Sequence, residues 1–245
     1  MDEYTLDQVL RWYERLETSI LEYSEHVPLV QTNENLESPF LVSCLMDACG
    51  LIDSLFRVLV DSKPINGKPK NKGDYNIDDF RNCFSTKLNL PNMRSILLQA
   101  PPRYLIPFSS WAEGLNPSWW KAYNNLKHDR LTSIKEGTLG AALNALCALH
   151  QLLARFPKRE MFKLLIRQGW LKINSWNPEL ILQQFEDYGT PTAKFIVQTK
   201  LFGAPIGAGN HMNNFHLAEF HTDIQKIDLG SYQNGDKLSQ FFCRL

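Results

Sequence analysis

The segment that follows Ser38-Pro39 restricts the fold more than any other part of the chain. Ser38 is an N-cap residue and Pro39 suits the first helical position. Behind them Leu41, Leu45, Ala48, Cys49, Ile52, Leu55, Phe56 and Leu59 spread apolar side chains around most of a helical circumference. A helix with so little polar surface has to be enclosed by other elements, so the chain must supply several helices to pack around it. They are legible on both sides. Before it, Thr5 and Gln8 form a capping box and Leu6, Val9, Leu10, Tyr13, Leu16 and Ile20 recur at helical spacing, predicting a helix to about Glu25. After it, Asn76 caps a helix carrying Ile77, Phe80, Phe84 and Leu88. Later, Ser133 and Glu136 read as a capping box ahead of Leu139, Ala142, Leu143, Leu146, Leu149 and Leu153, the cleanest amphipathic pattern in the chain, which Pro157 ends.

Between these segments the texture is irregular. Residues 61–75 hold two prolines, two glycines and four lysines, and read as an exposed basic loop. Pro91, Pro101, Pro102 and Pro107 interrupt the next stretch and leave room for a short helix around Met93 to Gln99. Two shorter helices are expected near Lys158 to Gln168 and after Asn177-Pro178. From about Thr190 the residues become β-branched and aromatic: Lys194 to Phe202 and Phe215 to Ile227 read as strands, and Gly203 to Gly209 as a glycine-rich turn. The division expected is a helical body over 1–189 and a small β-rich C-terminal extension over 190–245.

At 245 residues the chain can bury a sizeable core without disulfides or structural metal. Its 26 basic and 26 acidic side chains cancel, so binding to a polyanion has to rest on a local patch. The acidic residues Asp2, Glu3, Asp7, Glu14 and Glu17 make the first twenty residues unlike a secretory signal, and no apolar run approaches the ~20 residues of a membrane span. Five cysteines, Cys44, Cys49, Cys83, Cys147 and Cys243, show no close pairing. The expectation is a cytoplasmic protein with reduced thiols and no membrane partner.

Chemistry concentrates in Ser118 to Arg130, which opens after Asn116-Pro117, an N-cap and first-position pair. On a helix, Trp120, Tyr123, Asn124, Lys127 and His128 fall in one stripe. Aromatic rings stack bases, lysine neutralises phosphate, and histidine moves protons near neutral pH, so the stripe suits a nucleotide or an RNA backbone. The same residues also read as core: Trp119, Trp120 and Tyr123 inside, Asn124 bonded to a neighbouring helix, and Lys127, His128, Asp129 and Arg130 as a solvated helix end. His211, His216, Glu219 and His221 have the composition of metal ligands, but their spacing shares no helical face and alternates across a strand, so no metal site is expected.

The pattern Trp-Trp-x-Ala-Tyr-Asn-x-x-Lys-His-Asp-Arg, followed by the Ala/Leu-rich helix, resembles the HEPN superfamily of helical nucleotide- and RNA-associated domains. The resemblance covers roughly residues 40–156. It implies a mainly α fold, an up-and-down helical bundle, here with the β-containing extension. The family motif is an arginine, usually a polar residue after it, and a histidine four to six positions later. Asn124 matches the polar residue and His128 the histidine, while Tyr123 stands in the place of the arginine. For family members that are ribonucleases, the resemblance implies a homodimer that cleaves RNA without metal or other cofactor through the 2′-hydroxyl. Carried over, His128 and Asn124 are the catalytic candidates, with His128 as general acid or base and Asn124 orienting it or the phosphate. Trp120, Tyr123, Lys121, Lys127 and Arg130 are the ligand-binding candidates, and the lysines and Arg130 are the cations nearest the missing guanidinium. The implied role is RNA or nucleotide binding, as a degenerate ribonuclease of a bacterial or phage defence or toxin system. The alternative is a non-enzymatic helical module for dimerisation or binding a protein partner.

Overall fold

The computed structural model describes residues 1–60, 74–85, 88, 90–99, 102–156, 159–172 and 195–206. Six helices and one small sheet make up the described body. Helix α1 (Glu3–Ser24) begins three residues earlier than a Thr5 cap would allow. Asp2 is the N-cap, its carboxylate accepting the Thr5 N–H at 2.8 Å, which keeps that carboxyl below its usual range. Helix α2 (Pro39–Leu59) starts as its sequence predicts, with Ser38 accepting the Leu41 N–H. In α3 (Ile77–Phe84) Asn76 forms a full capping box with Asp79. Helix α4 (Ser118–His128) precedes α5 (Leu139–Ala154) and α6 (Arg159–Arg167).

One expectation at the start of α5 is corrected. Its N-cap is Thr138, which accepts the Ala141 N–H, whereas Ser133 to Glu136 form a separate 3₁₀ turn. The link from α4 to α5 runs from Asp129 to Thr138, and the two helices pack together. Helix α5 stops at Ala154, ahead of Pro157, which lies outside the described residues together with the helix expected after Asn177-Pro178.

Helix α2 packs against α1, α4 and α5, with α5 as its principal neighbour. It is long and apolar enough to cross a membrane by composition alone, yet 56% of its apolar window is buried inside the protein, as for a core helix. Around Phe56 an aromatic cluster forms: its ring lies 5.0 Å from Phe80, 5.2 Å from Phe84 and 5.9 Å from Trp111. Phe108 carries this cluster to Trp119 of α4.

The stretch expected to be a helix near Met93 to Gln99 is instead strand β1 (Ser95–Leu97), preceded by a 3₁₀ turn at Leu90–Asn92. Strand β2 (Arg103–Leu105) pairs with it. Strands β3 (Leu171–Lys172), β4 (Phe195–Gln198) and β5 (Phe202–Ile206) complete an antiparallel sheet in the order β2-β1-β5-β4-β3. The β4–β5 hairpin agrees with the β-rich reading from Thr190, but Gly203 to Ile206 are strand and not turn. Strand β5 lies at the centre, with Ile96 opposite Gly203 on one side and Val197 opposite Ala204 on the other. The described strands of the 190–245 extension are thus built into the same sheet as residues 95–105. The strand expected over Phe215 to Ile227 lies outside the described residues.

A buried carboxylate ties α1 to this hairpin. Glu17 Oε1 accepts hydrogen bonds from Tyr13 Oη at 3.0 Å, from the Leu201 N–H at 3.0 Å and from the Thr199 hydroxyl. Nearby, His150 of α5 is fully enclosed among Tyr13, Trp170 and Phe202, and neither ring nitrogen has a hydrogen-bond partner among the described residues.

Candidate functional site

Helix α4 has an apolar side and a cationic side, and the structure divides the predicted stripe between them. Pro117 is the residue before the first turn, with extended backbone and no side-chain cap. Asn116 does not cap because its side-chain oxygen accepts from Arg81 of α3 at 3.3 Å. From this start Trp119, Trp120, Ala122, Tyr123 and Leu126 all point inward. Trp119 lies 5.8 Å from Trp120, and Trp120 lies 5.1 Å from Tyr123. The Trp119 indole N–H donates to the Pro107 carbonyl at 2.7 Å, so the one polar atom of that buried ring is satisfied.

Trp120 and Tyr123, read from sequence as stacking residues, are 4% and 6% exposed. Neither offers an open ring face, and their aromatic surface is spent on the core. Burial, and after it the charge of Asp53, raise the Tyr123 phenol above its ordinary pKa. The residue in the arginine position is therefore a neutral ring.

The other predicted residues face solvent. Lys121, Lys127, His128 and Arg130 are exposed, and Asn124 is half-buried with no hydrogen bond within the described residues. Asn124 and His128 thus do not sit together on the enclosed side of α4; the helix ends at His128, whose ring lies outside the aromatic core. Lys127 folds back over the outer edge of Tyr123, its Nζ 5.5 Å from the ring centroid. This contact holds one ammonium near Asn124 and His128 on the same turn.

Carboxylates near this surface are engaged elsewhere. Asp129 accepts the Thr132 N–H at 3.2 Å, which lowers its carboxyl pKa, and Glu136 accepts the Asn125 amide at 2.7 Å. Arg11, Arg15, Arg57, Arg81, Arg103 and Arg167 each pair with an acid. Lys121, Lys127, Arg130 and Lys135 pair with none among the described residues. Lys135, on the 3₁₀ turn beyond α4, is the cation that the motif alone did not single out. Unpaired cations grouped around an exposed imidazole and a free amide form a surface suited to an anion such as phosphate.

Among the described residues no group of three or more His, Cys, Asp or Glu side chains is placed to hold a metal. His211, His216, Glu219 and His221 lie outside them. Cys44, Cys49 and Cys147 are free thiols, and burial pushes those of Cys44 and Cys147 up to about 12, so neither is poised as a thiolate. No family model matches the chain, and no curated protein or solved structure matches it either.

Proposed function

We propose that this protein is a HEPN-like up-and-down helical bundle whose α4 end binds RNA or a nucleotide through its phosphates. The observation that carries the reading is that Lys121, Lys127, His128 and Arg130 are all exposed on or just after α4, with no acid paired to the three cations and no side-chain hydrogen bond to Asn124 among the described residues. With formal charge balanced overall, such a local group is what gives the chain affinity for a polyanion. The lysines and Arg130 contact phosphate, Asn124 donates to a phosphate or ribose oxygen, and His128 is the candidate general acid or base. Tyr123 supplies no positive charge where the family carries arginine, so binding exceeds cleavage, and the protein acts as a degenerate ribonuclease of a defence or toxin system. Since Trp120 and Tyr123 are enclosed, recognition rests on phosphate and sugar, with little selection among bases.

The test is anisotropy of a labelled single-stranded RNA, with parallel cleavage assays. Wild type binds with an affinity that falls steeply with salt. Removing one of Lys121, Lys127 or Arg130 reduces the log–log slope by roughly 0.7. His128→Ala abolishes any cleavage while leaving most of the binding. Absence of RNA and nucleotide binding by wild type would overturn the proposal.

A second reading is favoured by one observation. Leu131 is 87% exposed, and Leu36 and Ile134 are also open on the connection between α4 and α5 and the segment that touches it. An apolar group of this kind suits a homodimer contact or a protein partner. Absence of RNA binding, together with a wild-type dimer that Leu131→Asp dissociates, would establish the interaction module instead.

A further inference from the structure

A second candidate site lies on elements that carry none of the α4 cations. Between α1, the α6–β3 turn and the start of the β4–β5 hairpin there is a cleft of about 540 Å³, lined by Glu14, Glu17, Gln168, Trp170, Gln198 and Lys200 among others. That is room for a small organic molecule. Three features define what it accepts.

First, Glu17 is 3% exposed and is met by donors on both oxygens: Tyr13, Thr199 and the Leu201 N–H on Oε1, and the Lys200 N–H at 3.3 Å on Oε2. Burial raises the pKa of this carboxyl, and the four donors act against that rise by favouring its anionic form. Oε2 takes only the one long bond and retains acceptor capacity. Second, neither Glu17 nor the half-buried Glu14 forms an ion pair among the described residues. A buried anion without a counter-charge is costly, and a cation entering the cleft offsets that cost. Third, the side-chain oxygen of Gln198 is buried and has no donor among the described residues. An unsatisfied acceptor of this kind is stabilised by an N–H brought by a ligand.

Glu14, Glu17, Gln198 and Trp170 line one cleft, where the one ammonium among the lining residues, that of Lys200, belongs to an exposed residue. We propose that this cleft binds a small organic cation, a primary amine or guanidine, whose N–H groups reach Glu17 and the Gln198 oxygen while Glu14 complements its charge. The alkyl part of such a ligand lies along Trp170, and Lys200 at the edge repels it. The site is independent of RNA binding at α4, and either can fail without the other.

Titration calorimetry of the full chain near neutral pH tests this with n-butylguanidinium and its neutral near-isostere n-butylurea. One equivalent of n-butylguanidinium binds, and n-butylurea binds at least roughly tenfold more weakly because it lacks the charge. Glu14→Gln, on a half-buried residue with no ion pair among the described residues, weakens the cation by a few-fold. Lys200→Ala tightens it, since a repelling charge is removed. Glu17→Gln weakens it by roughly tenfold or more, with near-ultraviolet dichroism reporting that the fold is kept. The proposal is overturned if n-butylguanidinium does not bind, if the charged and neutral probes bind equally, or if Lys200→Ala weakens the cation. The two probes on wild type and Lys200→Ala decide the matter even where Glu17→Gln fails to fold.

Discussion

His150 has no hydrogen-bond partner among the described residues, so its protonation state is set by the fold around it. Burial, and after it the charge of Arg155, lower its pKa to about 3. Its neighbours Tyr13, Trp170 and Phe202 offer rings and no carboxylate. Here the folded value lies below the unfolded value of about 6.5, so between the two the unfolded chain binds a proton that the folded chain refuses. Stability contributed by the neutral imidazole is present above about pH 6.5 and is lost as pH falls towards about 3, by up to about 1.4 kcal/mol per pH unit. Glu17, raised by burial, works with the opposite sign, so the imidazole has to be isolated by comparison. Urea midpoints of wild type and His150→Phe measured from pH 7 down to pH 5 should diverge, the wild type losing stability more steeply as pH falls. Parallel curves would show that the imidazole is not held neutral. At this scale the sequence showed the stripe on α1 that includes Tyr13, but not that Glu17 one turn later joins it. Its donors Thr199 and Leu201 arrive from the far end of the described chain.

Among the elements, the junction of α2 and α5 is the most constrained. The Ser38 N–H donates to the Gly137 carbonyl, and the Leu139 N–H to that of Leu36, so the first turns of both helices are fastened together. Gly137 is required there by space and not by backbone angle: a Cβ would lie 2.2 Å from Val42 Cγ2 and 3.0 Å from the Val42 backbone nitrogen. Gly137→Ala should therefore cost roughly 1–3 kcal/mol, read as a lower urea midpoint at unchanged slope. No change in midpoint would mean that the two helix starts are not in close contact. Helices α2 and α3 were legible because their signals are local: a cap within the first turn and an apolar side at helical spacing. The short strand at Ser95 was not. Three residues carry too little periodicity, and only pairing to β2 and β5 makes them a strand.

Across the whole molecule the question is whether the last described strands are an appendage or part of the body. Val197, Leu201, Phe202 and Ala204 are fully buried, and β5 is the central strand of the sheet. Removing residues 173–245 would expose β1, the β5-facing side of α5 and the Glu17 carboxylate together. Each large apolar side chain contributes about 1.5–3 kcal/mol, and losing several is comparable to the total stability of a domain, about 5–15 kcal/mol. The shortened chain should lose its cooperative thermal transition and bind a hydrophobic dye. A transition kept at the wild-type temperature would mean that the helices fold without the hairpin.

The sequence by itself determined that the chain is mainly helical. It located the buried helix after Ser38-Pro39 and its Ala/Leu-rich neighbour, and it marked Ser118 to Arg130 as the place where chemistry gathers. These follow from interactions between residues a few positions apart, which spacing displays. Only the tertiary structure decided that Trp120 and Tyr123 turn inward while Lys121, Lys127, His128 and Arg130 remain outside. It also joined Glu17 to Thr199 and set β5 between β1 and β4. Each of those outcomes depends on contacts between segments far apart in the chain, where the gain is burial of surface against a partner that no local pattern encodes.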